Sequence, residues 1–110
     1  MLRHTAGVQF YTRENELTAM VGGEIDHHGA GEIRNSIDSE MQRLMPHTLV
    51  LDLSGVNFMD SSGLGLILGR YNSSAKLGIT FKVKNPSPSA DRIIGAAGVE
   101  RIVKIERQQS

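Results

Sequence analysis

The chain has 110 residues, with 12 Lys and Arg against 12 Asp and Glu, so its formal net charge is zero. It contains no Cys and no Trp, which excludes a disulfide scaffold, a thiol nucleophile and any Cys-based zinc or iron–sulfur centre. This length suits one domain around one core, since domains cluster at roughly 100–150 residues. Val8 to Thr12 alternates and reads as a first strand, and Arg13-Glu14-Asn15-Glu16 as a turn. Leu17, Ala19, Val21, Gly23 and Ile25 fall on one side of a second strand at period two, making a hairpin. Ala30, Ile33, Ile37, Met41 and Leu44 then take helical spacing, and Pro46 stops that helix. Leu49 to Leu53 is apolar enough for a central strand.

Ser62 to Ala75 returns to helical spacing, with a stripe of Leu64, Ile67, Leu68, Tyr71 and Ala75. Ile79 to Lys84 alternates, with Ile79, Phe81 and Val83 inward and Thr80, Lys82 and Lys84 outward. Ser87 is placed to cap a helix that has Pro88 in its first turn, an Ala90, Ile93, Ile94 and Ala97 stripe, and Gly98 as its stop. Ile102, Val103 and Ile105 suit a last short strand, and residues 107–110 a polar tail. The order β-β-α-β-α-β-α-β implies an α/β domain with parallel pairings joined by right-handed crossovers, plus one antiparallel hairpin.

The longest strongly apolar run, Leu64 to Leu68, is far short of the ~20 residues of a membrane helix. Met1 to Thr5 has no apolar signal-peptide core, so a soluble cytoplasmic protein is expected, with no membrane partner. Residues 1–60 hold 4 basic and 9 acidic side chains, and residues 61–110 hold 8 and 3. The basic half contains only Tyr71 and Phe81 as aromatics, which argues against direct nucleic-acid binding.

Neither His4, His47 nor the adjacent His27 and His28 has an acidic residue at helical metal spacing, and the adjacent pair points in different directions on any regular element. Gly63, Gly65 and Gly69 follow a strand, but nine residues separate them from Leu53, where a dinucleotide site needs a tight turn. They are better explained by close helix–sheet packing. Met59 stands where a nucleophile elbow around Ser61 would need Gly. No catalytic residue, metal or cofactor is therefore expected. What remains is Asp60-Ser61-Ser62-Gly63 at the mouth of a helix. Asp or Ser there caps free backbone N–H groups, and a phosphate on an exposed serine would meet the same groups.

Phe58 to Tyr71, containing Asp60-Ser61-Ser62-Gly63-Leu64-Gly65, resembles the signature of the bacterial anti-sigma factor antagonists, in their sporulation branch. These are STAS domains. Gly23-Glu24-Ile25-Asp26-His27-His28 resembles a second motif of that family, and Asn85-Pro86-Ser87-Pro88, Arg92-Ile93 and Gly98-Val99 a third. Gly22 departs from the Ser or Thr more usual there, and Gly29 from an expected Thr. The resemblance implies one STAS domain over 1–110, with its core about 7–106. It implies a mixed sheet of four or five strands with helices mainly on one face.

The resemblance also implies a regulatory switch, not an enzyme. Its members bind an anti-sigma factor that is also a serine kinase, in its ATP- or ADP-bound state, and so free the sigma factor for transcription. That kinase phosphorylates the first serine of the motif, hence Ser61, and a serine phosphatase restores it. The partner-contact positions map onto Glu24, Asp26, His27, Asp60, Ser62, Leu64 and Gly65. Two alternatives stay open: a STAS module of a stress-response pathway, and a nucleotide-binding STAS domain.

Overall fold

A computed structural model describes residues 7–107. Strands β1 (Gly7–Arg13) and β2 (Glu16–Ile25) form the hairpin, followed by α1 (Ala30–Leu44), β3 (Thr48–Met59), α2 (Ser61–Leu77), β4 (Thr80–Lys84), α3 (Pro88–Ala97) and β5 (Lys104–Glu106). The sheet runs β1-β2-β3-β4-β5, antiparallel between β1 and β2 and parallel elsewhere. Each of the three crossovers advances by one strand in the same direction. Right-handed connections then place all three helices on one face.

The core lies between those helices and the inward side of the sheet. Leu17, Ala19, Val21 and Ile25 meet Leu49, Leu51, Leu53, Phe81 and Val83 from the strands. Ile33, Ile37 and Met41 enter from α1, Ile67 from α2, and Ala90 and Ile94 from α3. The opposite face carries ion pairs instead: Lys82 sits 3.3 Å from Glu106 and 4.0 Å from Glu16, and Lys104 lies 3.3 Å from Glu106.

Several expectations change in detail. Leu44 closes its helix largely exposed, because the chain turns at Met45, a left-handed residue whose N–H donates to the Met41 carbonyl at 2.8 Å. The buried face of α2 is Gly63, Leu66, Ile67, Arg70 and Ser74, one position round from the expected stripe. Leu64, Leu68 and Tyr71 flank it half-buried, and Ala75 is exposed. Arg70 takes the place of an apolar side chain because its Nε lies 3.0 Å from Asp38 Oδ1 on α1. Ile93 is half-buried and Ala97 exposed at the margin of α3. Ile102 does not join the last strand. It is exposed, in a turn after the short 3-10 helix Val99–Arg101, and Val103 takes the buried place. Arg107, placed by sequence in a polar tail, forms ion pairs with Asp91 at 2.6 Å and Glu100 at 2.7 Å.

The largest change is in β3, which runs six residues past Leu53. Its ladder with β2 is irregular at two places: the three β2 residues from Met20 to Gly22 oppose four from Asp52 to Gly55, and the two from Gly23 to Glu24 oppose three from Val56 to Phe58. Each irregularity bulges β3 outward by one residue. Gly22 and Gly55 face each other there, and a Cβ on Gly22 would lie 3.3 Å from the Gly55 carbonyl oxygen. That close approach favours glycine at both positions.

Candidate functional site

The parallel pairing of β2 and β3 ends both strands side by side, at Ile25 opposite Met59. Both chains then turn into helices. The Asp60 N–H donates to the Ile25 carbonyl at 3.2 Å, which ties the two turns together. All eight residues singled out from the sequence lie on this corner. Glu24, His27, Ser61 and Gly65 are exposed, while Asp26, Asp60, Ser62 and Leu64 are half-buried.

Asp60 is the N-cap of α2. Its backbone is extended, as a cap requires, and its carboxylate accepts the Ser62 N–H at 2.8 Å. Ser61 is therefore the first helical residue, and it is exposed. Among the described residues its hydroxyl has no hydrogen-bond partner. No acidic residue follows in the first turn of α2. An anion on Ser61 would meet first-turn N–H groups and the positive end of the helix dipole.

Across the ladder, Asp26 organises the other turn. Its Oδ1 accepts the N–H groups of His28 and Gly29, each at 3.0 Å, and its carbonyl accepts the Ala30 N–H at 2.9 Å. Gly29, the N-cap of α1, makes no side-chain cap; the Asp26 carboxylate instead holds the turn ahead of the helix, and its backbone carbonyl takes the first helical N–H. The Gly29 N–H holds the Asp26 carboxyl below its ordinary value, and the His28 N–H acts the same way. His27 and His28 do not diverge as expected. They lie in a turn rather than on a regular element, with ring centroids 4.0 Å apart. Among the described residues no cluster of His, Asp and Glu could hold a metal.

The glycine explanation holds at one position of three. A Cβ on Gly63 would lie 2.1 Å from Met59 Cγ, whereas nothing lies within 4 Å of a Cβ on Gly65 or Gly69. The third motif braces the same end of the sheet. Ser87 caps α3 through the Ala90 N–H and donates its own N–H to the Leu53 carbonyl, both at 3.2 Å. Ser89 Oγ donates to the carbonyl of bulged Asn57 at 2.9 Å. The residue that sequence reasoning left without a role is Phe58, which is 48% exposed beside Glu24. Its signal was the broken alternation of β3, where Val56 and Met59 turn inward and Phe58 does not.

The sequence that folds into this five-stranded mixed sheet matches the STAS domain family over residues 8–109. The chain belongs to the STAS domain family. It is 37% identical over 89 residues to an anti-sigma F factor antagonist of Paenibacillus polymyxa, covering 81% of this chain and 76% of that one. The unphosphorylated form of the anti-sigma factor antagonist SpoIIAA superposes with a TM-score of 0.76 at 26% identity, over 90% of this chain and 87% of that one. SpoIIAA of Bacillus in its phosphorylated form superposes with a TM-score of 0.69 at 26% identity, over 90% of each chain. No helix among the described residues of this STAS domain is long and apolar enough to cross a membrane.

Proposed function

We propose that this STAS domain is an anti-sigma factor antagonist switched by phosphate on Ser61. Unphosphorylated, it docks the corner formed by Glu24, Asp26, His27, Asp60, Ser62, Leu64 and Gly65 on an anti-sigma factor that is also a serine kinase. Docking frees the sigma factor, and transfer of the ATP γ-phosphate to Ser61 Oγ ends it. A serine phosphatase resets the switch. The domain works as a regulator in the cytoplasm and performs no chemistry of its own. The kinase supplies Mg²⁺-ATP and the base that takes the hydroxyl proton.

The observation that carries this reading is the division of labour at the α2 entrance. Asp60 does the capping, so the fold does not need the Ser61 hydroxyl. A phosphate there adds a charge of about −1.5 to −2 at pH 7 to a corner that already holds Glu24, Asp26 and Asp60. Against an acidic group of the partner within ~6 Å, the repulsion is about 1–5 kcal/mol for effective dielectrics of ~20–80 before salt screening. That range is enough to drive release. The likeness of this chain to SpoIIAA in both phosphorylation states supports a switch that leaves the fold in place.

The test is phosphate transfer by the purified kinase, with the site located by mass spectrometry. Ser61 should take all the phosphate, and Ser61→Ala should take none yet still bind. Phosphate on Ser62, or undiminished incorporation into Ser61→Ala, contradicts the assignment.

A further inference from the structure

Phe58 has a large apolar side chain, is 48% exposed, and lies three residues before Ser61 in the chain. The bulge at Asn57 turns it outward while Val56 and Met59 stay in the core. Its neighbour across the ladder is Glu24, also exposed. The other exposed large hydrophobics lie elsewhere: Leu44, Met45 and Leu77 at the far ends of α1 and α2, and Tyr11, Met20 and Ile102 outside both turns. Phe58 is thus the apolar element of the corner that carries the phosphate acceptor.

We propose that Phe58 is the apolar anchor by which the unphosphorylated domain holds its anti-sigma factor, the ring entering an apolar hollow beside a basic side chain that meets Glu24. This rests on the function proposed above and names the chemistry of the surface that the partner presents. Charge decides the occupant. Residues 22–33 and 53–69 contain Glu24, Asp26, Glu32 and Asp60 but no Lys or Arg. A second copy meeting this corner across a two-fold axis would set carboxylate against carboxylate, whereas a partner with a basic side chain opposite Glu24 and its acidic group on the Ser61 side is attracted until phosphate is added. A large side chain seated in a desolvated pocket and ringed by contacts that exclude water is the usual form of an interface hot spot. The anchor also draws the partner down over Ser61, so that a phosphate there cannot remain solvated while the ring stays seated.

The test titrates wild type, Phe58→Ala and Phe58→Leu against the purified, ADP-bound anti-sigma factor kinase. Melting curves and sedimentation are run on the same samples. Phe58→Ala should bind at least about 10-fold more weakly and Phe58→Leu should recover part of the loss, with all three chains monomeric and folded. Tight binding by wild type and equally tight binding by Phe58→Ala overturns the anchor and leaves the proposed function standing. Failure of wild type to bind overturns both. A dimer of the wild type that Phe58→Ala dissolves overturns the choice of occupant. Fluorine labelling of the three phenylalanines gives a readout that needs no substitution: the Phe58 resonance should shift on adding partner, and an unmoved Phe58 signal in a formed complex contradicts the proposal.

Discussion

The N–H of Asp60 donates to the carbonyl of Ile25 across 3.2 Å, so the turn that carries Ser61 is bonded to the end of the strand that leads into the turn built on Asp26. Adjacent parallel strands bring their C-terminal ends together as a matter of topology. This bond fixes how the two turns meet. One surface can therefore read acidic groups from both turns and still expose a single hydroxyl.

Asp26 separates a structural role from a recognition role. Its Oδ1 holds two N–H groups of the α1 entrance, which an amide oxygen also accepts. Asp26→Asn should leave the melting temperature nearly unchanged and weaken partner binding through the lost charge. Asp26→Ala should lower both. Calorimetric titration beside thermal melting checks this, and unchanged affinity for Asp26→Asn would reduce the residue to a cap.

Gly63 tests the packing of α2 on β3. Alanine there gains roughly 1 kcal/mol of helix propensity but drives its methyl into buried Met59, and overpacking costs about 1–3 kcal/mol. Gly63→Ala should be destabilising, and Met59→Ala should cost less in that background than alone. Gly65→Ala should behave oppositely. Nothing lies within 4 Å of the added methyl, so the helix gains up to roughly 1 kcal/mol, while the partner's close approach suffers. Denaturant melts of the four variants decide both cases.

Arg70 and Asp38 couple α1 to α2. Burial lowers the pKa of the guanidinium, against the Asp38 carboxylate beside it, and among the described residues buried Nε, Nη1 and the facing Asp38 Oδ1 make no hydrogen bond, so the pair is a charge contact alone. Removing only the acid strands the cation. Asp38→Ala should cost about 1–3 kcal/mol, below the range for a fully buried pair because Asp38 reaches solvent. Arg70→Met, which keeps the apolar stem and removes the charge, should cost less. Urea unfolding of the two variants measures the order.

Acid should loosen the β5 end of the sheet. Hydrogen bonds from Arg107 hold the Asp91 carboxyl below its ordinary value of 3.8, and one from Lys82 holds Glu106 below 4.5. A carboxyl depressed on folding contributes its stability above the unfolded pKa and loses it as pH falls through the folded one. The melting temperature should therefore be flat from pH 7 to about 5 and fall below about 4.5, with a shallower fall in Asp91→Asn.

Much of this fold was legible where residue type and position agree. Ile33, Ile37 and Met41 form an apolar stripe among polar residues, so α1 could be read directly, as could the Ser87-Pro88 helix start. On α2, Leu64, Leu66, Ile67 and Leu68 are apolar nearly all round, and the buried face includes Gly63, Arg70 and Ser74. Periodicity could not find a face whose members are chosen for small size or for an ion pair with another helix. The extension of β3 was hidden for a related reason. Ser54, Gly55 and Asn57 break the alternation of a flat strand, and bulges tolerate such breaks. The Asp-Ser-Ser-Gly run and the motif at Asp26, 34 positions earlier, were both read by resemblance, but their adjacency comes only with the parallel ladder and the Asp60–Ile25 hydrogen bond.

Phosphorylation should alter the surface and leave the sheet alone. Backbone amide shifts between the two forms should be confined to residues 24–28 and 58–66. Ser61→Asp should bind weakly with a nearly normal circular dichroism spectrum. Shifts spread through β4 and β5 would mean a conformational mechanism instead.

The most direct measurement is the affinity of one purified anti-sigma factor kinase for this chain before and after stoichiometric phosphorylation at Ser61. A repulsion of about 1–5 kcal/mol corresponds to weakening from several-fold to several-thousand-fold, with the smaller effect at high salt. Equal affinity of the two forms at low salt would contradict the switch.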